Sequence, residues 1–299
     1  MKGTGTGLMI VIAAALLAQV AVGAPMMGPQ PTVVQGGFQT PESVLYDPRG
    51  DAYLVSNING NPTGTDGNGF ISRVSPAGKI LALKWIDGTK QGVTLNAPKG
   101  TAISGTTLYV ADITAVRMFD RSTGRLKGSV DIPGSTFVND LAEGSDGSIY
   151  VTDSGWKPDF SASGTDAVYR IDARGKVTQV AKGTDLGNPN GIAVAPGGRV
   201  LVTTGGPEGE VYELGMGGKK RTVATTPSGG LDGLQVLPGG GFLVSSWGGS
   251  AVYRVARDGM AKPVVENVKA PADIGYDGKR SRVLIPLFMD NKVVIQALK

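Results

Sequence analysis

The sequence contains neither histidine nor cysteine, and these two absences remove most of the commonest catalytic and metal-binding side chains. Without histidine there is no imidazole general base, no Ser-His-Asp triad and no histidine ligand for zinc or haem. Without cysteine there is no disulfide, no thiolate metal site and no cysteine nucleophile. Any chemistry must therefore come from carboxylates, amides, hydroxyls, lysine, arginine or a bound ion.

An excess of one charge is also lacking. Against 25 acidic residues the chain has 29 basic ones, which gives a formal net charge of only +4. The densest basic cluster, Lys219-Lys220-Arg221, lies between two strand-like runs and is interpreted as a solvated turn. A nucleic-acid-binding protein usually concentrates lysine and arginine on one surface. We therefore expect no nucleic-acid partner.

Glycine, by contrast, is abundant, with 47 residues, and the chain also contains 18 prolines. In a helix interior each of these residues costs about 1 to 3 kcal/mol relative to alanine, so long helices are disfavoured. The hydrophobic fraction of 40% is nevertheless sufficient for a sizeable core. This composition predicts an all-β fold of many short strands joined by tight turns.

The first 24 residues have the pattern of a secretory signal peptide. Lys2 precedes an apolar run at residues 8–22, and small residues follow at Gly23 and Ala24, after either of which cleavage is expected. The run is shorter than the roughly 20 residues of a membrane-spanning helix, although an uncleaved anchor is the alternative. We expect a periplasmic or secreted protein, monomeric and free of the membrane after cleavage, in which residues 25–299 form one domain.

Six segments of that domain share one pattern: a short opening, a strand, a glycine-containing hairpin and a second strand that ends in polar residues. The second residues of the openings are at positions 42, 99, 139, 190, 232 and 272, so the spacings are 57, 40, 51, 42 and 40 residues. A four-stranded propeller blade takes about 40 to 50 residues. The repeats predict a six-bladed β-propeller with four-stranded blades, and the long spacings predict insertions at residues 57–68 and 155–165.

Closure of the ring also has a candidate. The last repeat offers strands near 272–277, 282–288 and 291–298, but no fourth strand. Residues 32–35, before the first repeat, could supply it by pairing with the last strand. Such pairing hides edges that otherwise invite aggregation.

The opening residue of each inner strand is expected at one rim of the central channel. We call these six the rim residues: Glu42, Lys99, Asn139, Asn190, Asp232 and Ala272. Two are carboxylates and two are amides, and a site of oxygen donors alone favours a hard cation such as Ca²⁺, which accepts 6 to 8 oxygens. Zinc lacks its preferred ligands here, so the sequence predicts a calcium site, with another divalent cation as the alternative.

The four oxygen-donor motifs, Pro41-Glu42, Asn139-Asp140, Asn190-Gly191 and Asp232-Gly233, resemble those of the regucalcin (senescence marker protein) and gluconolactonase family. Diisopropyl-fluorophosphatase and the paraoxonases are more distant relatives. The resemblance implies that Glu42, Asn190 and Asp232 bind the metal and that Asn139 binds metal or substrate. It also implies a calcium-dependent hydrolase that opens a lactone or related ester, with Asp232 as general base or nucleophile.

A small-molecule substrate would then contact Asn139, Lys99 and Trp156, and Trp247 is a further candidate for the pocket wall. Two departures concern the substrate: Phe137 precedes Val138-Asn139 where related enzymes carry an arginine nearby, and the histidines of the paraoxonases are absent.

Four alternatives remain open at this point. Lys99 could pair with Glu42 or Asp232 and replace the charge of a metal. The Asn-Gly and Asp-Gly pairs could be simple turns, since asparagine tolerates a positive φ. Trp156 could pack between blades instead of lining a pocket. Residues 190–193, with the sequence NGIA, also fit the NHL group of non-catalytic propellers that bind a protein or a small ligand.

Overall fold

Between residues 30 and 298 the chain forms 24 strands, arranged in six sheets of four antiparallel strands. The computed structural model describes Met1 and residues 30–298, so the predicted signal peptide lies outside the described residues apart from Met1. The chain divides into the segments Met1–Gln30 and Pro31–Lys299, and the six sheets belong to the second. In the part of the chain that is described, no helix has the length and apolar character needed to cross a membrane.

Each of the first five blades uses four consecutive strands, numbered from the channel outward. The first two blades contain β2 (Pro41–Asp47), β3 (Ala52–Asn57), β4 (Phe70–Val74) and β5 (Ile80–Asp87), then β6 (Pro98–Ser104), β7 (Thr107–Asp112), β8 (Ala115–Asp120) and β9 (Leu126–Asp131). The third and fourth contain β10 (Val138–Glu143), β11 (Ile149–Asp153), β12 (Ala167–Ile171) and β13 (Val177–Lys182), then β14 (Pro189–Ala195), β15 (Arg199–Thr204), β16 (Glu210–Leu214) and β17 (Lys220–Thr225). The fifth contains β18 (Leu231–Val236), β19 (Phe242–Ser246), β20 (Ala251–Val255) and β21 (Ala261–Glu266). Two short 3-10 helices occur, at Thr184–Leu186 and Met216–Gly218.

The sixth blade closes the ring with strands from the two ends of the domain. It contains β22 (Gly275–Asp277), β23 (Arg282–Leu287) and β24 (Lys292–Ala297), and β1 (Thr32–Gln35) pairs antiparallel with β24. The predicted six-bladed propeller and its closing strand are thereby confirmed. The inner strand β22 is shorter than expected, because the chain before it hydrogen-bonds to the first blade: Asp273 N donates to Glu42 O at 2.8 Å.

The hydrophobic core is divided into six clusters, one between each pair of neighbouring blades. Because each sheet packs against a neighbour on both faces, its inner strands are buried on both sides, and all six residues of β3 are buried. This explains why the second strands read as continuous apolar runs instead of alternating with polar residues. The side chains at the start of each inner strand are thereby held in a rigid frame.

Hydroxyl groups on the second strands link one blade to the next. Thr152 Oγ1 accepts from Asp140 N at 2.9 Å within its own blade and donates to Asn190 O at 2.7 Å in the next. Ser245 Oγ bridges Gly233 N and Ala272 O in the same way, at 2.8 Å each. Each of these hydroxyls fixes the backbone of a rim residue in the following blade.

The glycines after Asn190 and Asp232 have a packing role. Neither Asn190 nor Gly191 has a positive φ, so the alternative of a simple turn is wrong at this pair. A Cβ at Gly191 would collide with the carbonyl oxygen of Asp232, and one at Gly233 would collide with the backbone nitrogen of Ile274. Glycine therefore permits the close approach of neighbouring inner strands around the channel.

Ring closure can be tested on two neighbouring valines of β1. Val34 is 3% exposed and packs with Tyr53 and Leu284, whereas Val33 is 50% exposed. Val34→Asp places a carboxyl in the core between the last and first blades, and we expect it to lower the free energy of unfolding by about 2 kcal/mol or more. Val33→Asp is the matched control, with a change within about 0.5 kcal/mol. Equal thermal denaturation midpoints for the two variants would contradict the closing role of β1.

Candidate functional site

Five of the six rim residues surround one cavity of about 460 Å³ at one end of the channel. We call this set the polar floor: Glu42, Lys99, Asn139, Asn190 and Asp232. The sixth, Ala272, is fully buried and does not line the cavity. Trp156 and Trp247 do line it, so the structure brings together all the side chains that the sequence nominated.

The two carboxyl groups of the floor are almost completely buried, with Glu42 5% and Asp232 6% exposed. Asp232 Oδ2 accepts a hydrogen bond from Trp247 Nε1 at 2.8 Å. In the described part of the chain, the remaining oxygen of Asp232, Oδ1, has no hydrogen-bond partner, and neither does Glu42 Oε2. A buried carboxylate oxygen without a partner is costly, so this pair favours a bound cation or a proton.

Burial also controls the acidity of these groups. It raises the pKa of Asp232 to about 7, against the opposing effect of the Trp247 hydrogen bond. The pKa of Glu42 is raised first by burial and then by the neighbouring charge of Asp232, while Lys99 opposes the shift. A cation between the two carboxylates would favour their charged forms and reverse both shifts.

The two amides of the floor form a fixed chain. Asn139 Nδ2 donates to Ser154 Oγ at 2.9 Å and to Asn190 Oδ1 at 2.8 Å. Because both amide hydrogens of Asn139 are used, its carbonyl oxygen is the atom left for a ligand. The carbonyl oxygen of Asn190 keeps a second lone pair, since a carbonyl accepts two hydrogen bonds.

Lys99 is 1% exposed, and its ammonium group is held without a carboxylate contact. Lys99 Nζ donates to Ala97 O at 3.1 Å and lies 4.4 Å from the centre of the Phe137 ring. Burial lowers its pKa to about 8, against the opposing charges of Glu42 and Asp112. Between residues 30 and 298 it makes no ion pair within 4.0 Å, so the alternative of a direct pair with Glu42 or Asp232 is not observed.

These donors suit a hard divalent cation. The unpartnered oxygens of Glu42 and Asp232 and the free lone pairs of Asn139 and Asn190 are of the type that calcium accepts. Among residues 30–298 no three carboxylates lie close enough together to hold an ion by themselves. A cation here would therefore depend on the amides as well as on the two acids.

Two further buried acids lie below the floor and were not predicted as site residues. Asp140 is satisfied structurally, because it accepts from Ile192 N at 2.8 Å and from Leu141 N at 2.6 Å. Asp273 is 6% exposed, and its Oδ1 has no partner among the described residues. Burial raises the pKa of Asp140 to about 7. The pKa of Asp273 is raised first by burial and then by the negative charges of Asp140, Glu42 and Asp232. In the sequence, each of these two acids directly follows a rim residue, and this position could have identified both as neighbours of the site.

Two buried carboxylates at the ends of second strands have structural roles. Asp112 accepts from Ala97 N at 2.9 Å, and Asp153 accepts from Phe137 N at 2.8 Å, so both fix the segment that leads into an inner strand.

At the opposite end of the channel a second cavity of about 570 Å³ is lined mainly by backbone and aliphatic side chains. Its Arg121 is paired with Asp47. The unpartnered oxygens of Glu42 and Asp232 lie at the first cavity.

Cation binding can be tested on Glu42. We expect the protein to bind calcium or another divalent cation, and Glu42→Gln to weaken the affinity at least about tenfold, because one anionic ligand is lost. Asp258→Asn is the control, since Asp258 is an exposed carboxylate in a turn of the fifth blade. Isothermal titration calorimetry measures the cation affinity of the unaltered protein and of both variants. Failure of the unaltered protein to bind calcium, magnesium or manganese, or equal affinities in all three, would contradict the assignment.

Comparison with known proteins places this geometry in context. The family model described as the SMP-30/Gluconolactonase/LRE-like region matches residues 69–279. This span includes Lys99, Asn139, Asn190 and Asp232, and Glu42 precedes it. No curated protein matches the sequence directly.

Several solved structures share the fold at low sequence identity. A gluconolactonase from Xanthomonas campestris, described as important in glucose secondary metabolic pathways, is 20% identical with a TM-score of 0.70, over 90% of each chain. A calcium-binding regucalcin from Agrobacterium tumefaciens is 18% identical with a TM-score of 0.64, over 88% of this chain and 91% of its own. The virginiamycin B lyase of Staphylococcus aureus is 15% identical with a TM-score of 0.61, over 90% and 99%. At these identities the likeness shows the propeller fold alone.

Proposed function

The chain belongs to the SMP-30/gluconolactonase/LRE-like family, and from this premise we propose that it is a hydrolase that opens a lactone or a related ester at the polar floor. The observation that carries the proposal is the pair of buried carboxyl groups, Glu42 and Asp232, each with an unpartnered oxygen beside the same cavity. We further propose that it acts in the periplasm or outside the cell, because its first 24 residues have the pattern of a signal peptide.

Calcium, or another divalent cation, is the proposed cofactor. Glu42, Asn190 and Asp232 would hold it, and the free carbonyl oxygen of Asn139 would add a ligand or contact the substrate. When bound, the cation would polarise the ester carbonyl and stabilise the negative charge that develops on its oxygen.

Asp232 is the proposed general base. Its Oδ1 takes a proton from water while the water oxygen bonds to the carbonyl carbon. The bond from that carbon to the ester or ring oxygen then breaks, and the proton passes to the released alkoxide. Trp247 Nε1 holds Oδ2 at 2.8 Å, so the carboxylate keeps Oδ1 directed away from the indole. A bound cation lowers the basicity of the carboxylate, so the base would be the lone pair of Oδ1 that does not face the cation.

The remaining floor residues are proposed to position the substrate. Lys99 carries donors at the cavity and would contact a carbonyl, hydroxyl or carboxylate oxygen of the substrate. Asn139 is held by Ser154 and Asn190, so its carbonyl oxygen offers an acceptor in a fixed position. Trp156 supplies a flat apolar surface beside them.

A lyase reaction of the virginiamycin type is less suited to this chain. A variant of the Staphylococcus aureus lyase in which alanine replaces a histidine is catalytically inactive. The present chain has no histidine at any position. Hydrolysis with a carboxylate base requires only groups that the polar floor contains.

The proposed roles of Glu42 and Asp232 can be distinguished by whether excess cation restores the activity of a variant. We expect Glu42→Gln to lose activity at low cation concentration and to recover most of it at saturating cation, because Glu42 only binds the ion. Asp232→Asn should stay inactive, at least about 100-fold below the unaltered enzyme, at every cation concentration, because the base is missing. The assay uses aldonolactones, aryl esters and phosphotriesters, with and without a chelator, and circular dichroism checks folding. Activity of Asp232→Asn in excess calcium would contradict its role as base.

If no compound in that panel is hydrolysed while cation binding is intact, the hydrolase proposal is wrong. The non-catalytic alternative, a propeller that binds a protein or small ligand, would then be favoured.

The role of Trp247 is tested by removing its donor while keeping an aromatic ring. Trp247→Phe should lower kcat about tenfold with a smaller effect on cation affinity, since it frees Asp232 Oδ2 to rotate. Trp85→Phe is the control, because Trp85 stacks on Arg73 in the outer part of the first blade, away from the cavity. Equal kcat values for the two variants would show that the indole does not position Asp232.

A further inference from the structure

Above the polar floor the cavity has apolar sides. We call these the apolar wall: Pro62, Trp156, Phe160, Trp247, Phe288 and Met289. All of them lie in connections between the second and third strands of a blade, and four blades contribute. The two predicted insertions, at residues 57–68 and 155–165, supply three of the six.

The wall is held in place by aromatic contacts. Trp247 and Phe288, from different blades, have ring centroids 5.1 Å apart at an interplanar angle of 55°. On the other side Phe160 meets Phe137 edge to face, with centroids 6.3 Å apart. Phe137 in turn carries the ammonium group of Lys99 on its face. The wall is thus built onto the same residues that form the floor.

Phe160 is kept in this position at a conformational cost. Its φ is 59°, in the left-handed region that a bulky aromatic residue seldom adopts. Phe160 is nevertheless 52% exposed, and Met289 across the cavity is 65% exposed. Strained backbone and exposed apolar surface both disfavour the free protein, and each of them is frequent at ligand-binding sites.

The wall lacks the groups that a polyhydroxylated ligand requires. Apart from the five floor residues, the described side chains that line the cavity include no carboxylate, amide, ammonium or guanidinium group. Sugar hydroxyls placed against this wall would lose water and gain few partners, because the Trp247 N–H is already bonded to Asp232 and the Trp156 N–H is the one other side-chain donor among the six wall residues. An alkyl or aryl group placed there would bury its surface against aromatic rings instead.

We propose that the substrate is a lactone or ester with an apolar alkyl or aryl substituent, and that a polyhydroxylated sugar lactone is not the preferred substrate. The reacting carbonyl lies at the polar floor and the substituent lies against the apolar wall. This inference rests on the proposed hydrolase function and names its substrate class.

The test compares three δ-lactones: one with a hexyl chain, one without a substituent and glucono-δ-lactone. We expect kcat/KM for the hexyl lactone to exceed that for each of the others at least about tenfold. Phe160→Ser and Met289→Ser should reduce the ratio between the hexyl and unsubstituted lactones at least about threefold. Met216→Ser is the control, because Met216 is fully exposed in a turn remote from the cavity, and it should leave the ratio unchanged.

Preference for glucono-δ-lactone, or a ratio unaffected by Phe160→Ser and Met289→Ser, overturns the inference. If no lactone is hydrolysed, binding of the corresponding δ-lactams is measured by calorimetry, since a lactam has the same shape and resists hydrolysis. Tighter binding of the hexyl lactam, weakened by Phe160→Ser, supports the apolar ligand class even though the hydrolase proposal fails. Equal or undetectable binding of the hexyl and unsubstituted lactams overturns the inference independently of catalysis.

Discussion

The burial of carboxyl groups around the central axis is the constraint on which the site depends. Glu42, Asp140, Asp232 and Asp273 are all at most 6% exposed, and they face one another across a narrow channel. Charges of one sign cannot be brought this close in a poorly solvated space unless something compensates them. Asp140 is compensated by two backbone N–H groups. The others each retain an oxygen without a hydrogen-bond partner among the described residues, and this is why we propose the reaction at the axis of the propeller.

The frame that holds these acids is built from small residues. Hydroxyls such as Thr152 and Ser245 carry hydrogen bonds from one blade to the backbone of the next rim residue. Glycines such as Gly191 and Gly233 let neighbouring inner strands approach until a side chain would no longer fit. Positions that face the channel are therefore set by contacts between blades, and the preferences of the individual strands contribute little. A residue far from the cavity can in this way fix the geometry of an acid inside it.

The repeats made the fold accessible from the sequence. Turn residues between apolar runs recur at the length of a blade, so six blades, the closing strand and five of the six rim residues could be predicted. Contacts between blades could not. The Trp247 hydrogen bond to Asp232, the free oxygen of Asp273 and the role of Gly191 depend on how closely neighbouring sheets approach, which no local pattern encodes. The direct pair suggested for Lys99 is not observed for a similar reason, because its ammonium group donates to Ala97 O and lies over the ring of Phe137.

The pairing of β1 with β24 has a consequence for how the chain reaches this state. Thr32 and Ile295 are partners in the sheet although almost the whole domain separates them in sequence. During synthesis, β1 emerges before every other strand of the domain and β24 emerges after all of them, so β1 stays without its partner until the rest of the domain has been made. Contacts of such long range form slowly. The toroid can therefore close only after all the other strands of the domain have been made. If the blades form in the order of synthesis, β1 is the last strand to pair, although it is the first to be made.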